Sequence, residues 1–374
     1  MNVIIMTSAG MASGGARQAL YLAEGLVERG HSVRFVGPEG EPKVMAAAMG
    51  LETFLWERNI LRMARRLRGL ISGGEPTVVH SFHNRAVKMS AYLGTLWRLQ
   101  GLPVVCVAHR GVTSRPTNPL PYLLPGIRSF MVNSQACAKL MPMLWRRGRC
   151  HLVNNSIPAE RLALRRSAAE VRRELNVSEE LFVLGCVAHD KPEKGVERLL
   201  RAYAAARSRM AESALVVVGV CPDLWLPLCR DLGIEDRVRL IGRTEHVADY
   251  VQTFSLLAFP SYFIESQPNV IIEAICLGVP VIGSAIGGVP ELIPASCLFK
   301  PGDVDELCAK LVEFSQAPLR LKSLALENSA RKHLFSTEHR LETVLGFYRQ
   351  ALAEAGLPVQ SELTENRPAA GFGA

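Results

Sequence analysis

The sequence predicts an α/β protein built from two doubly wound parallel sheets, one in each half of the chain. Short apolar runs alternate with amphipathic helical stretches along most of the length, and glycine or polar residues follow many of these runs. The chain has 374 residues, of which 48% are hydrophobic, and this is enough for two complete cores. We therefore expect a first domain at residues 1–170 and a second domain at residues 171–335.

The first βαβ unit lies at the start of the chain. A strand is predicted at residues 3–6, an amphipathic helix at 16–28 and a second strand at 32–36. Ser13, Gly14 and Gly15 form the turn between the first strand and the helix. The turn is not a G-x-G-x-x-G motif, so alone it fits either a substrate that approaches the helix or a plain tight turn.

Residues 56–70, from Trp56 to Leu70, combine apolar side chains near one helical face with a crowd of arginines. They fit either a basic amphipathic helix on an anionic membrane surface or an ordinary surface helix of a basic domain. Residues 1–170 carry 22 Lys and Arg against 9 Glu, a balance of +13, whereas residues 171–374 carry 21 against 26, a balance of −5. This asymmetry indicates that the first half meets something anionic.

Histidines follow two further predicted strands of the first domain. His80 and His83 come at the end of a strand at 77–80, and His109 follows a strand at 103–108. No third ligand lies near the first pair in the sequence, so we do not expect a metal there. A lone histidine such as His109 is more often structural than catalytic. A helix at 134–145, between strands at 129–133 and 150–154, completes the predicted first domain.

The second domain begins after the charged run at residues 161–173. A strand at 181–188 leads to His189 and then to Lys194, which opens a helix and is well placed to meet a phosphate. Further strands are predicted at 214–219, 238–242 and 256–260, and Arg243 follows the second of them. The acidic pair Asp303 and Asp305 fits a helix cap better than a metal motif. Residues 357–374 have the composition of a disordered tail.

Two carboxylates, Glu265 and Glu273, flank a predicted helix start at Pro268 and Asn269. Free backbone N–H groups at such a start suit an anion, and flanking acids suit sugar hydroxyls. Strand ends in an open parallel sheet are where ligands bind. The spacing alone, however, favours a buried helix with one surface glutamate and one capping glutamate.

The full string of residues 260–291 resembles the E-x7-E signature of the retaining glycosyltransferases of family 4. The matched positions are Pro260, Ser261, Glu265, Pro268, Asn269, Val270, Glu273, Ala274, Gly278, Pro280, Val281, Ser284, Gly287, Gly288 and Glu291. The resemblance implies the GT-B fold, in which two Rossmann-like domains face each other across a cleft. It also implies that a final helix at 336–355 packs back on the first domain.

The resemblance implies a role for each candidate residue. Glu265 and His109 contact the donor sugar, and Glu273 holds the ribose hydroxyls. The other donor-binding positions are Gly14, Gly15, His189, Lys194, Arg243, Asn269 and Val270. Two positions depart from the family pattern: His189 stands where arginine is usual, and Arg110 stands where an acid is frequent.

The resemblance implies transfer of a sugar from a UDP- or GDP-linked donor to an acceptor hydroxyl with retained configuration, and we expect neither a cofactor nor a metal. The basic first half fits a lipopolysaccharide or lipid-linked glycan acceptor in cell-envelope biosynthesis. The alternatives are another GT-B sugar-nucleotide enzyme, such as an epimerase, and an inactive nucleotide-sugar-binding module. Residues 1–10 lack a basic leader region, and scattered cysteines indicate a reducing compartment, so we expect a cytoplasmic protein, peripheral on the inner membrane face. No aromatic-basic interleaving points to nucleic acid.

Overall fold

The computed structural model describes residues 1–11, 13–71, 75–141, 148–263 and 265–359. The predicted tail at 357–374 therefore lies almost entirely outside the described residues, as do the last four residues of the helix predicted at 134–145. No helix in the described ranges combines the length and apolar character needed to cross a membrane.

The first sheet has seven parallel strands in the order β3-β2-β1-β4-β5-β6-β7. Its strands are β1 (Asn2–Thr7), β2 (Ser32–Gly37), β3 (Glu52–Leu55), β4 (Thr77–Phe82), β5 (Val104–Arg110), β6 (Ile127–Val132) and β7 (Cys150–Leu152). The helices that accompany it are α1 (Gly14–Glu28), α2 (Glu41–Ala48), α3 (Ile60–Ile71), α4 (Asn84–Leu99), α5 (Leu120–Leu123) and α6 (Gln135–Lys139).

The second sheet has six parallel strands in the order β10-β9-β8-β11-β12-β13. Its strands are β8 (Phe182–Val187), β9 (Ser213–Val218), β10 (Val238–Ile241), β11 (Leu256–Phe259), β12 (Val281–Ser284) and β13 (Leu298–Phe299). The remaining helices are α7 (Ala159–Leu162), α8 (Ala168–Glu174), α9 (Val196–Ala206), α10 (Pro222–Asp231), α11 (Val247–Val251), α12 (Asn269–Cys276), α13 (Val289–Leu292), α14 (Val304–Ser315), α15 (Pro318–Arg331) and α16 (Thr337–Glu354).

Both sheets are doubly wound, which confirms the fold predicted from the sequence. In each sheet the strand order reverses beside the first strand, between β1 and β4 and between β8 and β11. Ligands bind at the carboxyl ends of strands at such a switch point. Apolar side chains cover both faces of the first sheet and form one further core around the second.

The last helix, α16, follows the second sheet in sequence but packs on the first. Leu341, Val344 and Tyr348 are buried in the core between α1 and the first sheet. Arg340 donates to the backbone oxygen of Gln18 in α1 at 2.8 Å. The two halves are thus joined by this helix as well as by the segment between β7 and β8.

The structure of the segment at residues 56–70 bears on its two interpretations, a membrane-surface helix and an ordinary surface helix. Trp56 lies before α3 rather than in it, and Met63 and Leu67 are fully buried in the core of the first domain. The helix therefore packs part of its apolar face inside its own domain, and of the two interpretations this packing favours the ordinary surface helix over an apolar stripe that enters a bilayer. The apolar residues of α3 do recur at helical spacing, but the first sheet packs against the face that they form.

Candidate functional site

The start of α1 faces the start of α12 across the two domains. Ser13 caps α1 by accepting from the N–H of Ala16 at 3.3 Å, which leaves Gly14 and Gly15 in the first turn. A side chain at Gly14 would come within 4.0 Å of Asn269, and one at Gly15 within 3.0 Å of the His83 ring. Gly15 thus permits a close approach of the His83 ring that a larger residue would hinder, while Gly14 leaves ordinary contact distance to Asn269.

The first turn of α12 leaves its N–H groups available. Pro268 occupies the cap position, and no side chain caps the helix, so Asn269 and Val270 present the first free N–H groups. The Oδ1 atom of Asn269 accepts from Nδ2 of Asn155 at 3.3 Å, which ties this turn to the end of the first domain. Two helix N-termini from different domains therefore converge on one cleft, and each favours an anion.

Lys194 lies beside this cleft at the end of a short 3₁₀ turn, Pro192–Lys194. The next residue, Gly195, has φ of +73°, and a side chain there would collide with the backbone oxygen of Pro260. Only glycine fits both demands, so the local sequence fixes where Lys194 points. Its Nζ atom lies 2.6 Å from Oε1 of Glu265.

His189 follows β8 and Arg243 follows β10, two strands of the second sheet that β9 separates, and both residues are exposed. Partial burial lowers the pKa of His189, and the positive charges of Lys194, Arg243, Lys191 and Arg17 lower it further. Cations from both domains thus surround this edge of the cleft. Because the imidazole of His189 is neutral here, the positive charge at this edge comes from the lysines and arginines.

Glu265 is held from several sides in the loop after β11. Besides Lys194, its carboxylate accepts from the Ser261 hydroxyl at 2.9 Å, and its backbone oxygen accepts from the Thr113 hydroxyl at 3.0 Å. The backbone of Gly287 and Gly288 packs so closely on residues 265 and 266 that any side chain at either position would overlap their carbonyl oxygens. The geometry places Glu265 firmly at the cleft.

Glu273 lies inside α12 and is buried, with 6% exposure. Arg161 of α7 donates to one of its oxygens from Nη2 at 2.7 Å and from Nε at 3.1 Å. Burial raises the pKa of Glu273 above its usual range, and the guanidinium of Arg161 opposes that shift. A ribose that bound Glu273 would share or displace this ion pair.

His109 is buried at the end of β5, with 5% exposure. Its ring stacks on Phe82 at 4.9 Å between centroids, and its Nδ1 atom has no hydrogen-bond partner in the described structure. Burial lowers its pKa to about 3, helped by the charges of Arg340 and His83. His109 is therefore neutral at physiological pH, and no hydrogen bond joins it to Glu265 among the described residues.

Direct contacts hold the two domains together around the candidate site. Asn155 donates from Nδ2 to the backbone oxygen of Gln267 at 3.0 Å. Glu291 of α13 accepts from the N–H groups of Gln135 and Ala136 at the start of α6, at 2.7 and 3.0 Å. Because these contacts cross the cleft, they set the distance between its two walls.

Sequence reasoning missed Arg17 and Arg161. Arg17 lies one turn into α1, and its guanidinium forms no hydrogen bond or ion pair with any residue described. Its position three residues after Gly14 was the available signal. Arg161 belongs to the charged run that we interpreted only as a domain border, and nothing in that run indicates a partner 112 residues away. Among the described residues, no group of three or more His, Cys, Asp or Glu could hold a metal ion.

Comparison with known proteins agrees with this architecture. The two domains and the cleft define an α/β protein of the GT-B fold. Residues 12–161 match the family model described as Glycosyltransferase Family 4, and residues 181–316 match the model described as Glycosyl transferases group 1. One match falls on each domain, so each half of the chain is similar to the glycosyltransferases that its model describes.

Curated relatives resemble only part of the chain. It is 31% identical over 151 residues to an N-acetyl-alpha-D-glucosaminyl L-malate synthase of Bacillus anthracis, covering 40% of this chain and 38% of the relative. It is 32% identical over 184 residues to a D-inositol 3-phosphate glycosyltransferase of Rhodococcus erythropolis, covering 46% and 41%. The chain thus matches about two fifths of the length of these relatives.

Solved structures show the same fold over nearly the whole chain. Anabaena Alr3699/HepE in complex with UDP aligns with a TM-score of 0.81 at 16% identity, covering 94% of this chain and all of that one. A glycosyltransferase from Rickettsia africae aligns with a TM-score of 0.80 at 16% identity, covering 94% and 98%. At this level of identity the likeness establishes the fold.

Proposed function

We propose that this protein transfers a sugar from a nucleoside-diphosphate sugar to an acceptor hydroxyl with retained configuration. The observation that carries the proposal is the convergence of the α1 and α12 N-termini, Lys194 and Arg17 on one cleft beside Glu265. A diphosphate fits such a concentration of N–H groups and cations. The structure of Anabaena Alr3699/HepE, which has the same fold, is a complex with UDP, and this supports a nucleotide ligand of this kind.

The proposed chemistry depends on charge that develops as the donor breaks. When the sugar leaves, negative charge grows on the diphosphate, and Lys194 with the N–H groups of Asn269 and Val270 stabilises that charge without reorganisation. These groups make a metal unnecessary in the proposal. The acceptor attacks from the face that the diphosphate leaves, so no side chain serves as a nucleophile. Glu265 binds sugar hydroxyls and is not a glycosidase acid.

The remaining residues orient the donor in this proposal. Glu273 binds the ribose hydroxyls in competition with Arg161, the backbone near Arg243 frames the base, and neutral His109 contacts the reacting sugar. Since the imidazole carries no charge, it can donate or accept one hydrogen bond but cannot stabilise charge as a cation.

A donor-hydrolysis assay across UDP-, GDP- and ADP-sugars tests the proposal. We expect slow release of the nucleoside diphosphate from one class of donor. The variant Lys194→Gln should lose most of this activity, whereas Lys322→Gln, an exposed lysine on α15, should keep it. Tight nucleotide binding without turnover of any donor, in the presence of acceptor extracts, would favour the inactive binding module that His189 suggests. Change of the donor sugar without transfer would favour an epimerase.

We further propose that the acceptor belongs to the cell envelope and that the protein works on the cytoplasmic face of the membrane. The exposed side of α3 supports this, because Arg62, Arg65 and Arg68 on the helix and Arg58 just before it are all exposed. Arg66 is instead held by Glu57 at 3.0 Å and by the backbone oxygen of Leu55. With the apolar face buried, such binding would be electrostatic and therefore sensitive to salt.

A further inference from the structure

Arg110 is a buried cation at the start of α4. It is 2% exposed, and its Nη1 atom donates to Oδ1 of Asn84, the first residue of the helix, at 2.6 Å and to the Tyr122 hydroxyl at 3.2 Å. Its Nη2 atom donates to the backbone oxygen of Ser114. Its Nε atom is buried and has no partner in the described structure. All of its partners are neutral.

No negative charge balances this arginine. Within the described residues, no carboxylate oxygen lies within 4 Å of its guanidinium. The sequence contains no aspartate or glutamate between Glu75 and Glu160, a stretch that holds ten lysines and arginines and includes β4 to β7. A buried charge without a counter-charge is costly, and the positive end of a helix dipole beside it adds to that cost.

The start of α4 offers further unbalanced positive potential. His83 occupies the cap position with φ of +70°, makes no capping bond, and directs its ring to Thr7 at 2.8 Å and Ser13 at 3.1 Å. The first turn contains no acid, and Arg85 within it is exposed and forms no hydrogen bond or ion pair to any described residue. A backbone held in this sparsely populated region is often found at ligand sites.

This cationic group lies where an acceptor would enter. Arg110 directly follows His109 on β5, and β4 and β5 end at the same edge of the first sheet. The ring of His83 touches the α1 turn that faces α12, so the start of α4 borders the donor cleft from the first domain. Lys194, Glu265 and Asn269, which the proposal assigns to the donor, lie in the second domain on the opposite side.

We propose that the acceptor carries an anionic group, a phosphate or a carboxylate, and that Arg85, Arg110 and the N–H groups at the start of α4 bind it. This inference rests on the proposed transferase function and names its acceptor class. The anion supplies the counter-charge that Arg110 lacks and holds the acceptor hydroxyl toward the donor sugar. A purely structural Arg110 would only anchor the loop that contains Ser114 and Tyr122.

Binding of inorganic phosphate to the full-length protein, with saturating UDP in the donor cleft, tests the site by calorimetry at constant ionic strength. We expect one phosphate to bind, and we expect Arg85→Gln and Arg110→Gln each to weaken that binding by about tenfold or more. The matched control is Arg98→Gln, an exposed arginine at the other end of the same helix, which should bind as the unmodified protein does. Affinity for UDP should not change in any of the three variants.

Acceptor pairs that differ only in charge extend the test. Glycerol 3-phosphate against glycerol, and inositol 3-phosphate against inositol, represent small acceptors, while a phosphorylated core oligosaccharide against its dephosphorylated form represents a glycan. We expect transfer to the charged acceptor of a pair to be at least tenfold more efficient than transfer to its neutral partner. The pair that shows this difference identifies whether the anion belongs to a small acceptor or to a glycan. Arg85→Gln should raise the KM for that acceptor while leaving donor hydrolysis unchanged.

The outcomes separate this inference from the proposed function. If the unmodified protein neither bound UDP nor hydrolysed a donor, the proposed transferase function would be contradicted. Intact UDP binding with phosphate binding that Arg85→Gln leaves unchanged would overturn the anion site alone. Should Arg110→Gln fail to fold, Arg85→Gln decides, because its side chain is exposed.

Discussion

Replacing Gly288 by alanine should displace Glu265 without straining the backbone at position 288. Gly288 has φ of −91°, which alanine adopts freely, so the effect of the substitution is purely steric. The added methyl group would overlap the backbone oxygen of Ser266 and come within 2.7 Å of Cβ of Ser134 in the other domain. To restore ordinary contacts of about 3.5 Å, the loop at 265–266 must retreat by more than about 1 Å.

The expected magnitudes follow from that displacement. Overpacking of this kind costs about 1–3 kcal/mol, which lowers the melting temperature of a domain of this size by roughly 2–12 °C. A misplacement of about 1 Å in a binding group can cost ~100-fold in rate. We expect donor hydrolysis to fall by that order, while binding of free UDP, which does not need Glu265, falls much less.

Gly346→Ala provides the matched control for the same chemical change. Gly346 lies within α16, is exposed, and has open space around its Cα. Alanine there should raise stability by about 0.5–1 kcal/mol through helix propensity and leave hydrolysis unchanged. If Gly288→Ala kept both the activity and the melting temperature of the unmodified protein, the close packing of Gly288 on the Glu265 loop would be refuted.

Four further predictions concern charged groups. Arg17→Gln should weaken UDP binding by about fivefold or more in calorimetry, since its guanidinium is free in the described structure, and Arg98→Gln should not. Arg161→Gln should cost about 1–3 kcal/mol in thermal unfolding, because it leaves Glu273 buried without its ion-pair partner, and a stable variant would contradict that pairing. The pKa of His109 is about 3 in the folded protein and near 6.5 in the unfolded chain. The stability that the neutral His109 contributes is therefore fully present above pH 6.5. It is lost as the pH falls from 6.5 toward 3, by at most about 1.4 kcal/mol in the free energy of unfolding per pH unit. His109→Phe should therefore flatten the pH dependence of unfolding below pH 6.5, and the exposed His246→Phe should not. Finally, replacing Arg62, Arg65 and Arg68 by glutamate should reduce salt-sensitive binding to anionic liposomes, and unchanged binding would exclude α3 as a membrane contact.

Local sequence signals predicted where the helices at the candidate site begin, because they describe local structure. Gly14 and Gly15 open α1, Lys194 and Gly195 open α9, and Pro268 precedes α12, all within a residue or two of the expected positions. Each of these features depends on backbone geometry that a few neighbouring residues determine. The doubly wound topology followed from the alternation of strands and helices for the same reason.

The partners of the charged residues could not be predicted in this way. Glu273 and Arg161 are 112 residues apart, and Arg340 reaches Gln18 across 322 residues. Pairing over such separations depends on how the helices pack, and no periodicity in the sequence encodes it. The same limit explains why the sequence left two interpretations of α3 open, since an apolar face at helical spacing indicates only that something covers it, and here Met63 and Leu67 meet the domain's own core.

The contacts of Glu265 connect the proposed chemistry to the relative position of the domains. Its carboxylate is held within the second domain by Lys194 and Ser261, but its backbone oxygen accepts from Thr113 of the first domain. Glu291 adds a second bridge by capping α6. Separating the domains would break both bridges and would also part Gly14 from Asn269, so the two helix N-termini would no longer share an anion. Under the proposed function, donor binding and closure of the cleft would therefore be coupled, because a bound diphosphate would supply the negative charge that draws the two N-termini together.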